Sequence, residues 1–351
     1  MTQSQTSLSQ AELENQLKAI VGEDKVKTDA DSLETFGKDW TKIYAPNPSA
    51  IVFPKTTEQV QAIVKFANEH HVALVPSGGR TGLSAGAVAA NGEVVVSFDY
   101  MNSISGFNAM DKTVRCGAGV ITEQLQNYAE EQGLFYPVDF ASAGSSQIGG
   151  NIGTNAGGIK VIRYGMTRDW VAGLTVVTGK GDILELNKDL VKNNTGYDMR
   201  QLFIGGEGTL GFITEATMRL TRPAKNLTVL VLGVPEFEAI MSVLNTFQTN
   251  IDLTAFEFFS DKAMRKVVAR GDVPAPFETE AEYYALLEFE AETEGHIDQA
   301  MELFEKCMEE GWVLDGVMSQ SETQAKNLWR LREDISETIA EWTTYKNDIS
   351  V

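Results

Sequence analysis

The amino-acid sequence predicts an α+β chain in two parts, and three observations predict it. Short strand-like and helix-like patterns alternate over the first 222 residues. Two glycine-rich segments sit beside apolar strand patterns in that stretch: Pro76-Ser77-Gly78-Gly79-Arg80-Thr81-Gly82-Leu83-Ser84, and Gly144 through Gly158. After Arg222-Pro223-Ala224 the units become longer, which predicts a second α+β layer domain. The expected domains are therefore 1–222 and 223–351.

Ser9 with Glu12 reads as a capping box, followed by one apolar face (Leu13, Leu17, Ile20, Val21) and a stop at Gly22. Ala50–Phe53 is a short strand ended by Pro54. Thr56 with Gln59 opens a second helix whose apolar face is Val60, Ile63, Val64 and Ala67. His71–Val75 is expected as a strand running into the first glycine loop, with His70 and His71 at the preceding helix end. Val94–Phe98 is nearly all apolar and so buried on both faces. Thr113–Cys116 is a strand, and Thr122–Gln132 a helix with Thr122 as its N-cap and Gly133 as its stop. Leu174–Thr178 and Ile183–Leu186 flank Gly179-Lys180-Gly181-Asp182 as a hairpin. Phe212–Leu220 is a strand. In the second part, strands are expected at 227–234, 255–259, 283–289 and 313–317. Helices are expected at 236–248, 261–269, 297–310 and, as one long element, 322–342. The last residues, 345–351, are strand-like with no cap or polar tail, so this domain reads as incomplete at its C-terminal end.

With 43% hydrophobic and 22% charged residues the chain can bury a sizeable core. A formal net charge of −20 argues against a nucleic-acid partner, whose binding rests on Lys and Arg, and against an anionic membrane surface. Cys116 and Cys307 lie far apart and in no metal-type spacing, which fits a reducing compartment; the expected location is cytoplasmic. The N-terminus has no apolar core of a secretory signal, and no run is long enough for a transmembrane segment.

Glycine lets backbone N–H groups approach an anion closely, and successive N–H groups form concave anion nests. Two such segments predict a large phosphate-bearing cofactor held mostly by backbone. Gly206-Glu207-Gly208-Thr209-Leu210-Gly211 matches a dinucleotide fingerprint literally. However, Phe212-Ile213-Thr214 continues it as a strand rather than a helix, so it is not read as a nicotinamide site. No Gly-Lys-Ser/Thr closes either glycine segment, the three histidines form no metal cluster, and Ser145-Ser146 lack the context of a hydrolase nucleophile.

The loop from Pro76 to Gly86 resembles the pyrophosphate loop of FAD-binding flavoproteins of the vanillyl-alcohol oxidase and p-cresol methylhydroxylase superfamily. The segments 137–158, Asn194-Thr195-Gly196-Tyr197-Asp198 and 203–214 resemble its FAD-linked D-2-hydroxyacid dehydrogenase branch, which includes D-lactate, D-2-hydroxyglutarate and glycolate dehydrogenases. The resemblance implies a bipartite FAD domain of two α+β subdomains, followed by a substrate or cap domain. It implies that Pro76, Ser77, Gly78, Gly79, Arg80, Thr81, Gly82 and Ser84 wrap the pyrophosphate. Pro137, Gly144, Ser145, Ile148, Gly149, Asn151 and Thr154 then line the flavin, and Glu207 and Ile213 meet its other face or the adenosine end. Arg80 stands where covalent members carry a histidine, so noncovalent FAD is expected, with Cys116 a small buried strand residue. The run 329–336 resembles the segment whose arginine holds the substrate carboxylate. That makes Arg332 the clamp, Ser336 its neighbour one turn on, and Lys346 a second basic contact.

The implied reaction is oxidation of a D-2-hydroxy acid by hydride transfer to flavin N5. The electrons then pass to an acceptor protein or quinone rather than NAD. Family members carry a later histidine-containing part that binds a divalent metal and supplies the general base; no metal site and no such base is found in this sequence. Three readings stay open: a dehydrogenase, a flavin-binding subunit of a glycolate-oxidase-like complex, and a non-catalytic fragment. The hydroxy acid, the acceptor and a homodimeric state stay open with them.

Overall fold

The computed structural model describes residues 8–41, 43–187, 190–340 and 342. It forms two compact units. The first comprises Met1–Gly157 with Met166–Arg222, and the second Gly158–Gly165 with Pro223–Val351.

The first unit holds two sheets. One is built from β1 (Val26–Lys27), β2 (Ala50–Val52), β3 (Leu74–Ser77) and β4 (Val94–Ser97), in the order β1-β2-β4-β3. β4 is parallel to both β2 and β3, and all four of its residues are buried. Val94 and Val96 pack towards the helices Gln10–Val21 and Thr57–His70, while Val95 and Ile51 face Leu33 and Phe36. A parallel strand covered on both faces must be apolar on both, which is why Val94-Val95-Val96 carries no polar alternation.

The second sheet contains β5 (Ile104–Asn108), β6 (Thr113–Gly117), β7 (Val171–Thr178), β8 (Ile183–Leu186) and β9 (Gly211–Arg219), in the antiparallel order β5-β6-β9-β7-β8. Helices Thr122–Glu131 and Ile148–Thr154 join its core through Leu125, Ala129, Ile148 and Ile152. The fold class is the expected α+β, with open sheets.

The second unit is an antiparallel sheet of β10 (Leu227–Val234), β11 (Leu253–Ser260), β12 (Tyr283–Glu290) and β13 (Asp315–Met318), ordered β11-β12-β10-β13. Helices Phe237–Gln248 and Glu294–Glu309 cover one face. Helices Asp261–Val268 and Glu322–Glu333, with Ile159 of the 158–165 segment, cover the other.

Three local expectations are corrected. The strand expected at His71 begins at Leu74, because His71 is the left-handed C-cap of the preceding helix (φ 54°) and the chain must turn first. Thr122 is the first helical residue and Ile121 the N-cap; the Thr122 hydroxyl is engaged instead with Ser146 and Asn151. The long helix expected from 322 breaks after Glu333. Asp334 has ψ −8°, far from the helical −42°, and a separate turn Ile335–Ile339 follows. Ser336 therefore lies on that second element rather than one turn along the helix of Arg332.

Candidate cofactor site

Both glycine segments of the first unit open onto one cavity of about 540 Å³, within the usual range for a cofactor site. β3 delivers the first loop at its C-terminal end. Pro76, Gly78, Gly79, Arg80, Thr81, Gly82 and Ser84 line the cavity. Gly149, Asn151 and Thr154 of the second segment, and Glu207 and Ile213 of the third, face the same space. Ser77, Pro137, Gly144, Ser145 and Ile148 are not on its wall. Ser77 is fully buried, since side chains alternate along β3 and Pro76 takes the cavity side. Ile148 is buried in the core of the second sheet, Pro137 is buried, and Gly144 and Ser145 are exposed.

Backbone contact holds the segments together. A Cβ at Gly79 would collide with the Ser145 carbonyl and crowd Ser146 and Gln147, so the two loops meet main chain to main chain. Gly208, at φ +75°, approaches Pro76 so closely that a Cβ would overlap the proline ring. The third segment also caps the helix Ile148–Thr154. Gly205 N–H donates to the Ile152 carbonyl (3.0 Å) and Glu207 N–H to that of Gly153 (2.8 Å), satisfying carbonyls that a helix end leaves open. Glu207 adopts φ 48° to do so.

Beneath that helix, the Asn151 amide donates to Thr122 Oγ1 at 2.7 Å, and Thr122 Oγ1 lies 2.7 Å from Ser146 Oγ. Arg80, at φ 60°, folds its guanidinium back. Nη1 donates to the Gly78 carbonyl (2.9 Å), Nη2 pairs with Asp99 (3.3 Å), and the group lies 4.7 Å from the Phe36 ring centre. The cation thus stiffens the loop as well as adding positive charge beside it.

Some wall residues were not anticipated: Asp39, Phe98, Ala118, Phe140, Gln147, Gly150, Gly153, Phe203 and Phe212. Gly150 and Gly153 carried a readable signal, being glycines of the anticipated segment. Asp39 carried none. Burial raises its carboxyl above the usual 3.8, against hydrogen bonds from the backbone N–H groups of Thr41, Ala87 and Ala85. Burial, with Glu215 nearby, pushes the Cys116 thiol up to about 12; Cys116 and Cys307 are both free and buried.

The residues present fit a flat, extended dinucleotide. Apart from the helix's own backbone and the chain neighbours, no atom of the described residues lies within 4 Å of where a Cβ would stand at Gly150 or Gly153, although both line the cavity. Glycine there keeps open a space that any side chain would fill. Among the described residues no group of His, Cys, Asp and Glu could hold a metal, and no helix is long and apolar enough to cross a membrane.

In the second unit, Arg332 donates from Nε to Glu257 Oε2 at 2.7 Å, both side chains half-buried. Ser336 sits in the turn after the break, and Lys346 lies outside the described residues. On the same sheet face Glu288, 3% exposed, accepts from Lys160 (3.1 Å), Thr254 (2.6 Å) and Trp329 Nε1 (2.9 Å).

Over 337 residues the chain is 74% identical to a D-2-hydroxyglutarate dehydrogenase of Stutzerimonas stutzeri, covering 96% of this chain and 73% of that protein. The chain belongs to the FAD-linked D-2-hydroxyacid dehydrogenase family. Residues 48–187 match the family model described as FAD binding domain, and residues 223–351 the model described as FAD linked oxidases, C-terminal domain. FAD is accordingly its cofactor. A D-2-hydroxyglutarate dehydrogenase of Xanthomonas citri is 56% identical over 93% of this chain and 69% of its own length. The mitochondrial zebrafish enzyme of that name is 37% identical over 92% and 61%. Among solved structures, p-cresol methylhydroxylase with substrate bound superposes with a TM-score of 0.74 at 17% identity, covering 93% of this chain and 70% of that one. The 4-ethylphenol oxidase of Gulosibacter chungangensis superposes at 0.77 and 15% identity, covering 97% and 74%. These two establish the fold class of the family member.

Proposed function

We propose that this chain oxidises a D-2-hydroxy acid to the 2-oxo acid, with D-2-hydroxyglutarate as the favoured substrate. One observation carries the reading: a glycine-walled cavity sized for a dinucleotide, in a chain 74% identical to a D-2-hydroxyglutarate dehydrogenase. When bound, FAD supplies the acceptor for the hydride that leaves the substrate α-carbon. The chain's own residues bind and orient. Backbone N–H groups of residues 78–82, with Ser84, hold the pyrophosphate, and Arg80 adds a charge stiffened by Asp99. Gly149, Asn151 and Thr154 flank the flavin with Ile213, while Glu207 supports the helix end beside it. The flavin is held without a covalent bond: Arg80 stands where covalent members carry a histidine, and the buried Cys116 is a poor nucleophile.

In the second unit Arg332 is the carboxylate clamp. Its planar fork suits a carboxylate, and Glu257 holds it in place through Nε. Ser336 and Lys346 assist. Electrons leave to an acceptor other than NAD; the literal dinucleotide fingerprint at Gly206–Gly211 runs into strand β9, not a helix, which supports that exclusion.

The test is an anaerobic visible spectrum of the purified flavoprotein, with D-2-hydroxyglutarate, D-lactate and glycolate added in turn. Bleaching fastest with D-2-hydroxyglutarate is the expected result. Flavin that stays oxidised with all three would overturn the dehydrogenase reading. Folded protein that takes up no FAD would overturn the cofactor assignment as well.

A further inference from the structure

Gln147 belongs to the second glycine segment and lines the cofactor cavity, yet it is only 6% exposed. Its Nε2 donates to Asp99 Oδ1 at 2.7 Å. Asp99 also takes Nη1 and Nη2 of Arg80, at 3.4 and 3.3 Å. An ionised carboxylate only accepts hydrogen bonds, so the face of the amide turned towards Asp99 must be the NH2. The amide therefore has one permitted orientation, and its carbonyl points the other way. That oxygen, Oε1, is buried and has no hydrogen-bond partner among the described residues. It lies 3.5 Å from where a Cβ would stand at Gly78, a cavity-lining residue, and that Cβ position is 3.6 Å from Gly150 Cα. Leaving such an acceptor unpaired is costly, so a partner is expected from whatever fills the cavity.

The chemistry of that partner is restricted. A phosphate at neutral pH offers acceptors, so Oε1 cannot serve the pyrophosphate. It needs a hydroxyl or an N–H. Gln147 immediately precedes the flavin-flanking helix Ile148–Thr154, which places the donor in the riboflavin half of the dinucleotide. We propose that Gln147, oriented by Asp99, accepts a hydrogen bond from a ribityl hydroxyl or a ring N–H of the bound FAD. Asp99 is then a positioning residue for both loops: it holds Arg80 of the first and aims Gln147 of the second.

This inference rests on the FAD reading above and is tested by binding, not turnover. Apoprotein is titrated with FAD and, separately, with ADP, which carries the pyrophosphate and adenosine but no riboflavin. Gln147→Met keeps the size and removes both polar groups. It should weaken FAD about tenfold and leave ADP within twofold of the unchanged protein. Equal weakening of both ligands, or FAD affinity within twofold of the unchanged protein, would overturn the proposal.

A second variant covers the case in which methionine disturbs folding. In Gln147→Glu the new carboxyl faces Asp99 and Arg80. When protonated it donates to Asp99 and presents a carbonyl to the cavity as the amide does. When ionised it repels Asp99. The ratio of FAD to ADP affinity should therefore fall as pH rises in this variant and stay flat in the unchanged protein; a flat ratio in both would also overturn the proposal. Failure of the unchanged apoprotein to bind FAD at all would instead sink the cofactor reading on which the inference stands.

Discussion

Asp39 brings a carboxylate into the cavity wall at the cost of leaving water, and the direction of its shift makes a prediction. Burial raises its folded pKa above the unfolded value near 4. The protonated form is thus the one the fold prefers. Its contribution to stability is complete below the unfolded pKa and is lost as pH rises through the folded one. Asp39→Asn has no such loss. The melting temperature of this variant, relative to the unchanged protein, should become more favourable between about pH 4 and pH 7, with any lost hydrogen bond to Thr41 appearing as a constant offset. A difference that does not change with pH would contradict this. Asp39 was not legible in the sequence, because nothing local marks it: its proximity to the cavity depends on how residues 37–41 pack, as where Trp40 N–H donates to the Gly82 carbonyl. Asp99 and Gln147 were missed for the same reason, being partners at 48 positions' separation. Gly78 and Gly79 were legible as cavity-lining residues of a close-packed turn, because the need for bare backbone is written in the residue type itself.

The helix Ile148–Thr154 is the least helix-like of the site's elements by composition. Three of its seven residues are glycine, each costing about 0.5–1 kcal/mol relative to alanine. Gly149 has a packing reason: a Cβ there would stand 2.7 Å from that of Ala118. Gly150 and Gly153 have no such neighbour and face the cavity. Their cost goes with the open space they leave on the cavity wall, and the proposed FAD site accounts for it. Gly150→Ala and Gly153→Ala should each stabilise the apoprotein by roughly 0.5 kcal/mol through helix propensity while weakening FAD binding at least tenfold, read by apoprotein melting and FAD titration. Apoprotein destabilised by either change, or FAD binding left intact, would show that packing rather than ligand space keeps them glycine. Low propensity also explains why the second glycine segment read as an anion-binding loop and not as a helix. The opposite error occurred at 322–342, where the apolar helical pattern continues past Asp334. A pairing of Arg330 with Asp334, at 2.9 Å, sits at the break, and composition alone does not reveal it.

At the scale of the whole molecule, the chain leaves the first unit after Gly157, contributes eight residues to the second, and returns at Met166. Nothing in the sequence of 158–165 marks it as belonging to the later domain, since its partners stand 127 and 128 positions away. Arg163 pairs with Glu290 at 2.5 Å, and Lys160 with Glu288 at 3.1 Å. The Lys160 pair is the more consequential, because its side chains are 12% and 4% exposed. Removing one partner of a buried pair leaves an uncompensated charge, typically at a cost of about 3–5 kcal/mol. Lys160→Met should therefore lower the unfolding free energy of the second unit by roughly 3 kcal/mol in a urea titration near neutral pH. Adding Glu288→Gln should recover part of that loss, since an amide can accept from Trp329 Nε1 and donate to Thr254 while carrying no charge. The flavin makes the second reading of the same experiment. Gly157 lines the cavity and is covalently continuous with the segment that Lys160 anchors. Flavin release should therefore move to lower urea together with unfolding of the second unit. A single variant as stable as the unchanged protein, or a double variant no better than the single, would remove the ion pair as the anchor of this segment. Flavin release that stays put while the second unit unfolds earlier would leave the anchor in place but separate it from the cavity.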